Sequence, residues 1–175
     1  MACLLTSGRA LPCKSSVGGL KSVYFCDYGT LGDATIVAGE ITAVAGTPDF
    51  FKYDIKGSSS LETAITSSRE NGTTFYTQTL NLTLTTLDKA TQEEIKLLSV
   101  SRPHIAVEDY NGNFFMLGLE HGAEVTGGSI ASGASMADAS SFSLTFEAME
   151  KSPANFTVST VVTANESATQ IDPNA

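Results

Sequence analysis

The first stretch with the residue types and spacing for chemistry is GRALPCKS, residues 8–15, one letter away from the phosphate loop G-x-x-x-x-G-K-[ST]. Such a loop wraps phosphate with consecutive backbone N–H groups, and glycine allows both the close approach and the dihedrals. Here Cys13 occupies the second glycine position and Pro12 removes an N–H from the cradle. Only MACLLTS precedes Gly8, and Gly18-Gly19 fall where the following helix should begin, at a cost of roughly 1 kcal/mol per glycine. No apolar run ending in aspartate follows to hold magnesium, so the stretch is not read as a nucleotide site.

Two further groups are thinner. His104 and His121 stand near Glu108, Asp109, Glu120 and Glu124, but alternate residues of a strand face opposite sides and a turn accounts for Asp109 and Asn111. Structural roles are expected for both histidines. Cys3, Cys13 and Cys26 have no C-x-x-C spacing, and a zinc site needs a tighter constellation. They are expected to be reduced and packed as small hydrophobes. There is no G-x-S-x-G elbow, and Glu93-Glu94 reads as a solvated helix face. The glycines at 122, 127, 128 and 133 lack the strand-to-helix context of a dinucleotide site. The expectation is therefore no catalytic residue, no cofactor, no metal and no enzyme.

Composition narrows the partners. Ten Lys and Arg against 19 Asp and Glu leave a formal charge of −9, with no local basic cluster. This argues against a surface that grips nucleic acid by phosphate neutralisation. Charged residues make up only 17 %, so Ser, Thr and Asn must supply most of the surface polarity, which suits flat strand faces. MACLLTSG lacks the basic start and apolar core of a signal peptide, and no stretch approaches the ~18–20 apolar residues of a membrane span. The sequons at Asn71, Asn81, Asn155 and Asn165 read as chance in a Thr-rich chain made in a reducing cytosol.

The elements that must position these residues are mostly strands. SVYFCDYG (22–29), DATIVAGEITAV (33–44, one or two strands around Gly39) and FFKYDIKG (50–57) are β-prone. Asn71-Gly72 and Asn111-Gly112 each sit between two such runs, a strong hairpin signal. After the first, Leu80, Leu82 and Leu84 alternate with Thr79, Asn81, Thr83 and Thr85, an opposite face that is polar but uncharged. In SFSLTFEAM (141–149), Phe142, Leu144 and Phe146 point inward. LDKATQEEIKLLS (87–99) is the one good helix, with Asp88 as its cap and Leu87, Thr91, Ile95 and Leu98 as its stripe. Residues 122–140 read as a long Gly/Ser/Ala-rich loop, and FTVSTVV (156–162) as a closing strand. The fold class is mainly β: one domain spanning 1–175, a β-sandwich or barrel with one packed α-helix at about 88–99. Three extensions remain: an N-terminal arm (1–20), the loop 122–140 and a tail (163–175). Exposed edges of this kind are liabilities unless covered, and identical subunits arranged in a ring cover them.

Taken in order, CLLTSGRALPCKSSVGGLKSVYF, DYNGNFFMLGLEHG, the glycine-rich loop and SLTFEAMEKSPA resemble tail tube (major tail) proteins of tailed bacteriophages. The resemblance is one of layout, over most of the chain and strongest in 3–25 and 104–154. It implies a virion structural protein, made in the host cytoplasm, whose hexameric rings stack into a hollow tube for DNA ejection. The implied partners are the protein itself and other tail proteins (tape measure, terminator, tail tip), with DNA passing through unbound and no membrane. Subunit contacts are then expected at Arg9, Lys14, Gly18, Gly19, Asn71, Gly72, Gly127 and Gly128, with 57–72 projecting to the adjacent ring. Arg9 and Lys14 either pair with a neighbour's acids or pack locally, and Thr79, Asn81, Thr83 and Thr85 face either the lumen or outside solvent. Alternatives are another virion component (terminator, tail-tip ring, capsid decoration protein) or a ligand-binding β-sandwich.

Overall fold

A computed structural model describes residues 7–173. The protein is mainly β, and the described residues form eleven strands in two sheets and two helices. In chain order these are β1 (Leu20–Cys26), β2 (Leu31–Val37), β3 (Glu40–Gly46), β4 (Phe51–Asp54), β5 (Ser60–Ser68), β6 (Thr73–Thr85), α1 (Lys89–Leu98), β7 (His104–Asp109), β8 (Phe114–Leu117), β9 (Glu124–Ala131), β10 (Ser141–Glu150), β11 (Asn155–Thr157) and α2 (Ser159–Thr163). One sheet runs β2-β3-β11-β8-β7-β1-β4 and the other β5-β6-β10-β9; neither closes on itself.

The apolar alternation of β6 and β10 sets one side of the main core. Leu80, Leu82, Leu84, Phe142, Leu144 and Phe146 are all buried, and they share a single cluster with Val23, Phe25, Ile105, Val107 and Leu117 of the seven-stranded sheet. Register carries this alignment: Leu80 opposes Phe146, Leu82 opposes Leu144 and Leu84 opposes Phe142. α1 closes the end of this core with Ile95, flanked by Leu87 and Leu98. Its cap is Asp88, whose Oδ2 accepts from the Thr91 N–H at 2.8 Å. Burial acts to raise the Asp88 carboxyl, but the hydrogen bonds from Thr91 and Ala90 outweigh it and hold the group below its ordinary value.

The seven-stranded sheet is buried on its other face too. Tyr24, Cys26, Ala106, Phe114 and Met116 pack there with Ile41, Phe50 and Val162. This explains why LKSVYFC and HIAVED are almost continuously buried instead of alternating. Burial pushes the Cys26 thiol up from its ordinary value.

Four expectations are corrected. The stretch 122–140 is not one loop: Glu124–Ala131 forms β9, because β10 supplies a hydrogen-bonding partner that the small residues of the segment do not advertise. FTVSTVV is not one strand; it divides into β11 and the short helix α2, whose Val161 and Val162 are buried, so the described residues hold two helices where one was expected. Cys13 is not packed but exposed on the arm, whose residues 7–19 are all exposed. The tail is partly tied down: the Phe50 N–H donates to the Asn165 carbonyl and the Ser167 N–H to the Phe50 carbonyl, both at 2.8 Å. Cys3, the start of the arm and the last two residues of the tail lie outside the described residues. Among the described residues no helix is long and apolar enough to cross a membrane.

Candidate functional site: a cation-free sheet face with open edges

Thr79, Asn81, Thr83 and Thr85 come together on the face of the four-stranded sheet turned away from the core. Pairing extends this face across the sheet. Ser143 opposes Thr83, Thr145 opposes Asn81 and Ser60 opposes Asn81 from the other side. The Thr145 hydroxyl donates to Asn81 Oδ1 at 3.1 Å, and the Thr83 hydroxyl to the Ser58 carbonyl at 3.2 Å. A line of acids crosses the hydroxyl field: Glu62 opposes Thr79, Thr79 opposes Glu147, and Glu147 opposes Glu124. None of these three carboxylates is in an ion pair among the described residues. All ten Lys and Arg lie outside the four strands SLETAITSS, TTFYTQTLNLTLT, EVTGGSIA and SFSLTFEAME. The four strands therefore offer hydroxyls and negative charge, and no cation of their own to neutralise phosphate.

Among the described residues both edges of this sheet are unpaired. β5 pairs with β6 over nine residues in unbroken register, and β9 is held only by β10. Neither edge strand carries the Lys or Pro that normally blunts a sheet edge. Each displays an exposed isoleucine instead, Ile65 at 68 % and Ile130 at 57 %. One register shift, between the Gly127–Thr145 and Val125–Phe146 pairs, interrupts β9, and the larger sheet has more such interruptions. Two register shifts interrupt β2, and the tail bonds to Phe50 beside β4.

The other expected contact residues fall in three separate places. Arg9 and Lys14 lie on the exposed arm and form no ion pair among the described residues. The arm joins the domain at Gly18-Gly19, where Gly19 (φ 107°) passes so close that a Cβ would lie 3.1 Å from the Tyr110 ring. It is clasped by the Asn111 turn: the Val17 N–H donates to Asn111 Oδ1 at 2.9 Å, and Asn111 Nδ2 donates to the Val17 carbonyl at 2.7 Å. Asp109 builds that turn by accepting from the N–H groups of Asn111 and Asn113 and from both side-chain amides. Burial works to raise its carboxyl, but these bonds prevail and leave it below the usual value. Asn71 and Gly72 sit at the exposed tip of the β5–β6 hairpin. Gly127 and Gly128 lie in edge strand β9, and a Cβ on Gly128 would meet the Ser143 carbonyl oxygen at 2.7 Å.

The residues first weighed for chemistry are dispersed. His104 is buried, its Nδ1 lies 2.6 Å from the Gly118 carbonyl oxygen, and its ring stacks on Tyr28, over which the Arg102 guanidinium sits. Glu108 is engaged by Lys21 at 2.6 Å and by the Tyr24 hydroxyl at 3.4 Å. Burial, with the Glu108 charge second, pushes Tyr24 up to about 12. His121 instead lies beside Glu120 and Glu150, and Glu150 is a residue sequence reasoning had not singled out. A groove of about 730 Å³ along β4 and α1 is lined by Tyr53, Leu97, Leu98 and Asp88 and by the protein's own tail at Ile171. Burial, then the charges of Glu94 and Asp88, raises Tyr53 to about 12. The His104 and His121 rings do not line this groove. Comparisons with protein-family models, curated proteins and solved structures find no match for this chain.

Proposed function

We propose that the protein is a tail tube subunit of a tailed bacteriophage, a β-sandwich whose four-stranded sheet forms one section of a tube wall. The observation that carries this reading is a sheet with two unpaired edges among the described residues and four strands that carry no Lys or Arg. Edge β5 of one copy pairs with edge β9 of the next, which satisfies both rows of backbone groups and buries Ile65 and Ile130. The contact is heterologous, and repetition closes a ring when the rotation per copy is a whole fraction of a turn. At about 4.8 Å between strands and a tilt of about 40°, six copies bring about 24 strands and a backbone-to-backbone diameter of roughly 45–50 Å. That bore passes a DNA duplex with side chains in place, whereas three copies give half the width and do not. A wall of Thr, Ser and Asn with carboxylates among them stays wet and repels phosphate, so the genome slides without being held. On this reading the arm with Arg9 and Lys14, and the Asn71-Gly72 hairpin tip, reach the adjacent ring.

Negative-stain electron microscopy over a concentration series, with mass measurement alongside, tests the proposal. Rings or open tubes with a central hole are expected, and Ile130→Lys is expected to give monomers with an unchanged circular dichroism spectrum. A protein that stays monomeric at every concentration and also fails to add to tail tips sinks the reading.

A further inference from the structure

We infer that Glu120, His121 and Glu150 form a site for one divalent cation of the zinc class, a function separate from the tube reading. One imidazole nitrogen and two carboxylate oxygens lie within 4.8 Å of one another, at the turn between β8 and β9 and the last residue of β10. The three are invisible as a motif, because Glu150 comes 29 residues after His121.

The fixed member is Glu150, only 3 % exposed. Its Oε1 accepts from the backbone N–H of Glu120 at 3.0 Å and of His121 at 2.9 Å, while Oε2 takes no hydrogen bond among the described residues. Oε2 is not among the buried oxygens left without a partner and no Lys or Arg pairs with it among the described residues, so it opens toward solvent as an unoccupied ligand position on an otherwise fixed side chain. Those same two hydrogen bonds hold the backbone of the other two ligands against it. Their side chains are free to close in, at 51 % exposure for Glu120 and 60 % for His121. Zinc ligands at about 2.0–2.2 Å in a tetrahedron stand roughly 3.3–3.5 Å apart, so the exposed chains need to move only about 1–1.5 Å. An imidazole with carboxylates selects zinc-class ions over Mg²⁺ or Ca²⁺, which prefer all-oxygen shells. Water completes the shell. The present counter-ion is Lys151, whose Nζ is 3.8 Å from Glu120 Oε2 with a side chain 83 % exposed; so exposed a pair is readily displaced.

The test is calorimetric titration of Zn²⁺ into the chelator-treated full chain carrying Cys3→Ser and Cys13→Ser, with Co²⁺ absorption as a second probe. One ion per chain is expected, with a cobalt spectrum free of thiolate charge transfer. His121→Ala and Glu120→Gln should each weaken binding at least about tenfold while keeping the wild-type circular dichroism, and Lys151→Ala should tighten it. No saturable uptake overturns the inference, as does uptake unchanged in both His121→Ala and Glu120→Gln, or equal binding of Mg²⁺. Because every readout is of the single chain, it succeeds or fails whatever the microscopy of assembly shows.

Discussion

Glu147→Gln should stabilise the protein, although it removes a half-buried charge and keeps the shape of the side chain. Glu147 stands directly opposite Glu124, and across Thr79 from Glu62. Opposed residues on one sheet face have Cβ atoms about 5 Å apart. Two unit charges at that distance in water repel by about 0.8 kcal/mol. With a Debye length of about 8 Å at physiological salt the repulsion falls to about 0.4 kcal/mol, and near 1 M salt to less than about 0.2 kcal/mol. Glu62 is a strand further away and adds about 0.1 kcal/mol or less at physiological salt. The substitution is therefore worth about 0.4–0.8 kcal/mol at low to physiological ionic strength, a rise of about 1–3 °C in Tm for a domain of this size. Thermal and urea melts of both proteins at 20 mM, 150 mM and 1 M salt would measure it. A gain that shrinks as salt rises confirms a row of like charges that costs the fold stability. No gain at low salt, or a gain that persists at 1 M, would refute the reasoning; the latter would make strand propensity the cause.

Gly128→Ala places a Cβ 2.7 Å from the Ser143 carbonyl oxygen, so β9 should loosen from β10; amide exchange at 127–131 is expected to speed up while the β5–β6 amides stay protected. Asp109→Asn should cost about 1–2 kcal/mol at neutral pH, because the turn loses charge-assisted bonds. Since the folded Asp109 carboxyl lies below its ordinary 3.8, its contribution is fully present above that value and is lost as pH falls through the folded one; urea melts of both proteins should converge in strong acid. Tyr24 and Tyr53, both pushed up to about 12, should remain phenols at pH 11 in the folded protein. As the unfolded chain ionises them near 10, stability should fall between pH 10 and 12, which phenolate absorbance and melts together would record.

Local patterns predicted their elements well wherever one side of an element carries its identity. The Leu80/82/84 and Phe142/Leu144/Phe146 alternations, the α1 stripe and the two Asn-Gly turns can each be read within a dozen residues. Where identity comes from a partner, local reading failed. GAEVTGGSIA has too little apolar content to show a period, and only the ladder to β10 makes it a strand. TVV is β-branched, yet it turns into a helix as Val162 covers the outer face of the larger sheet and Val161 is buried beside it. The thin case for chemistry had the same cause: His121 was weighed with acids near it in sequence, while its buried neighbour comes from the end of another strand.

The sequence by itself determined a β-rich chain, its helix cap, its hairpin turns and a charge balance unsuited to gripping nucleic acid. These follow from residue type and short spacing, which act over a few positions of backbone. The tertiary structure alone decided that every cation is kept off one sheet, that Glu62, Glu147 and Glu124 form a line, and that Glu120, His121 and Glu150 meet. Each of these depends on strand order and register. Those are set by the joint burial of two sheets around Phe146 and Phe25 and not by any single segment.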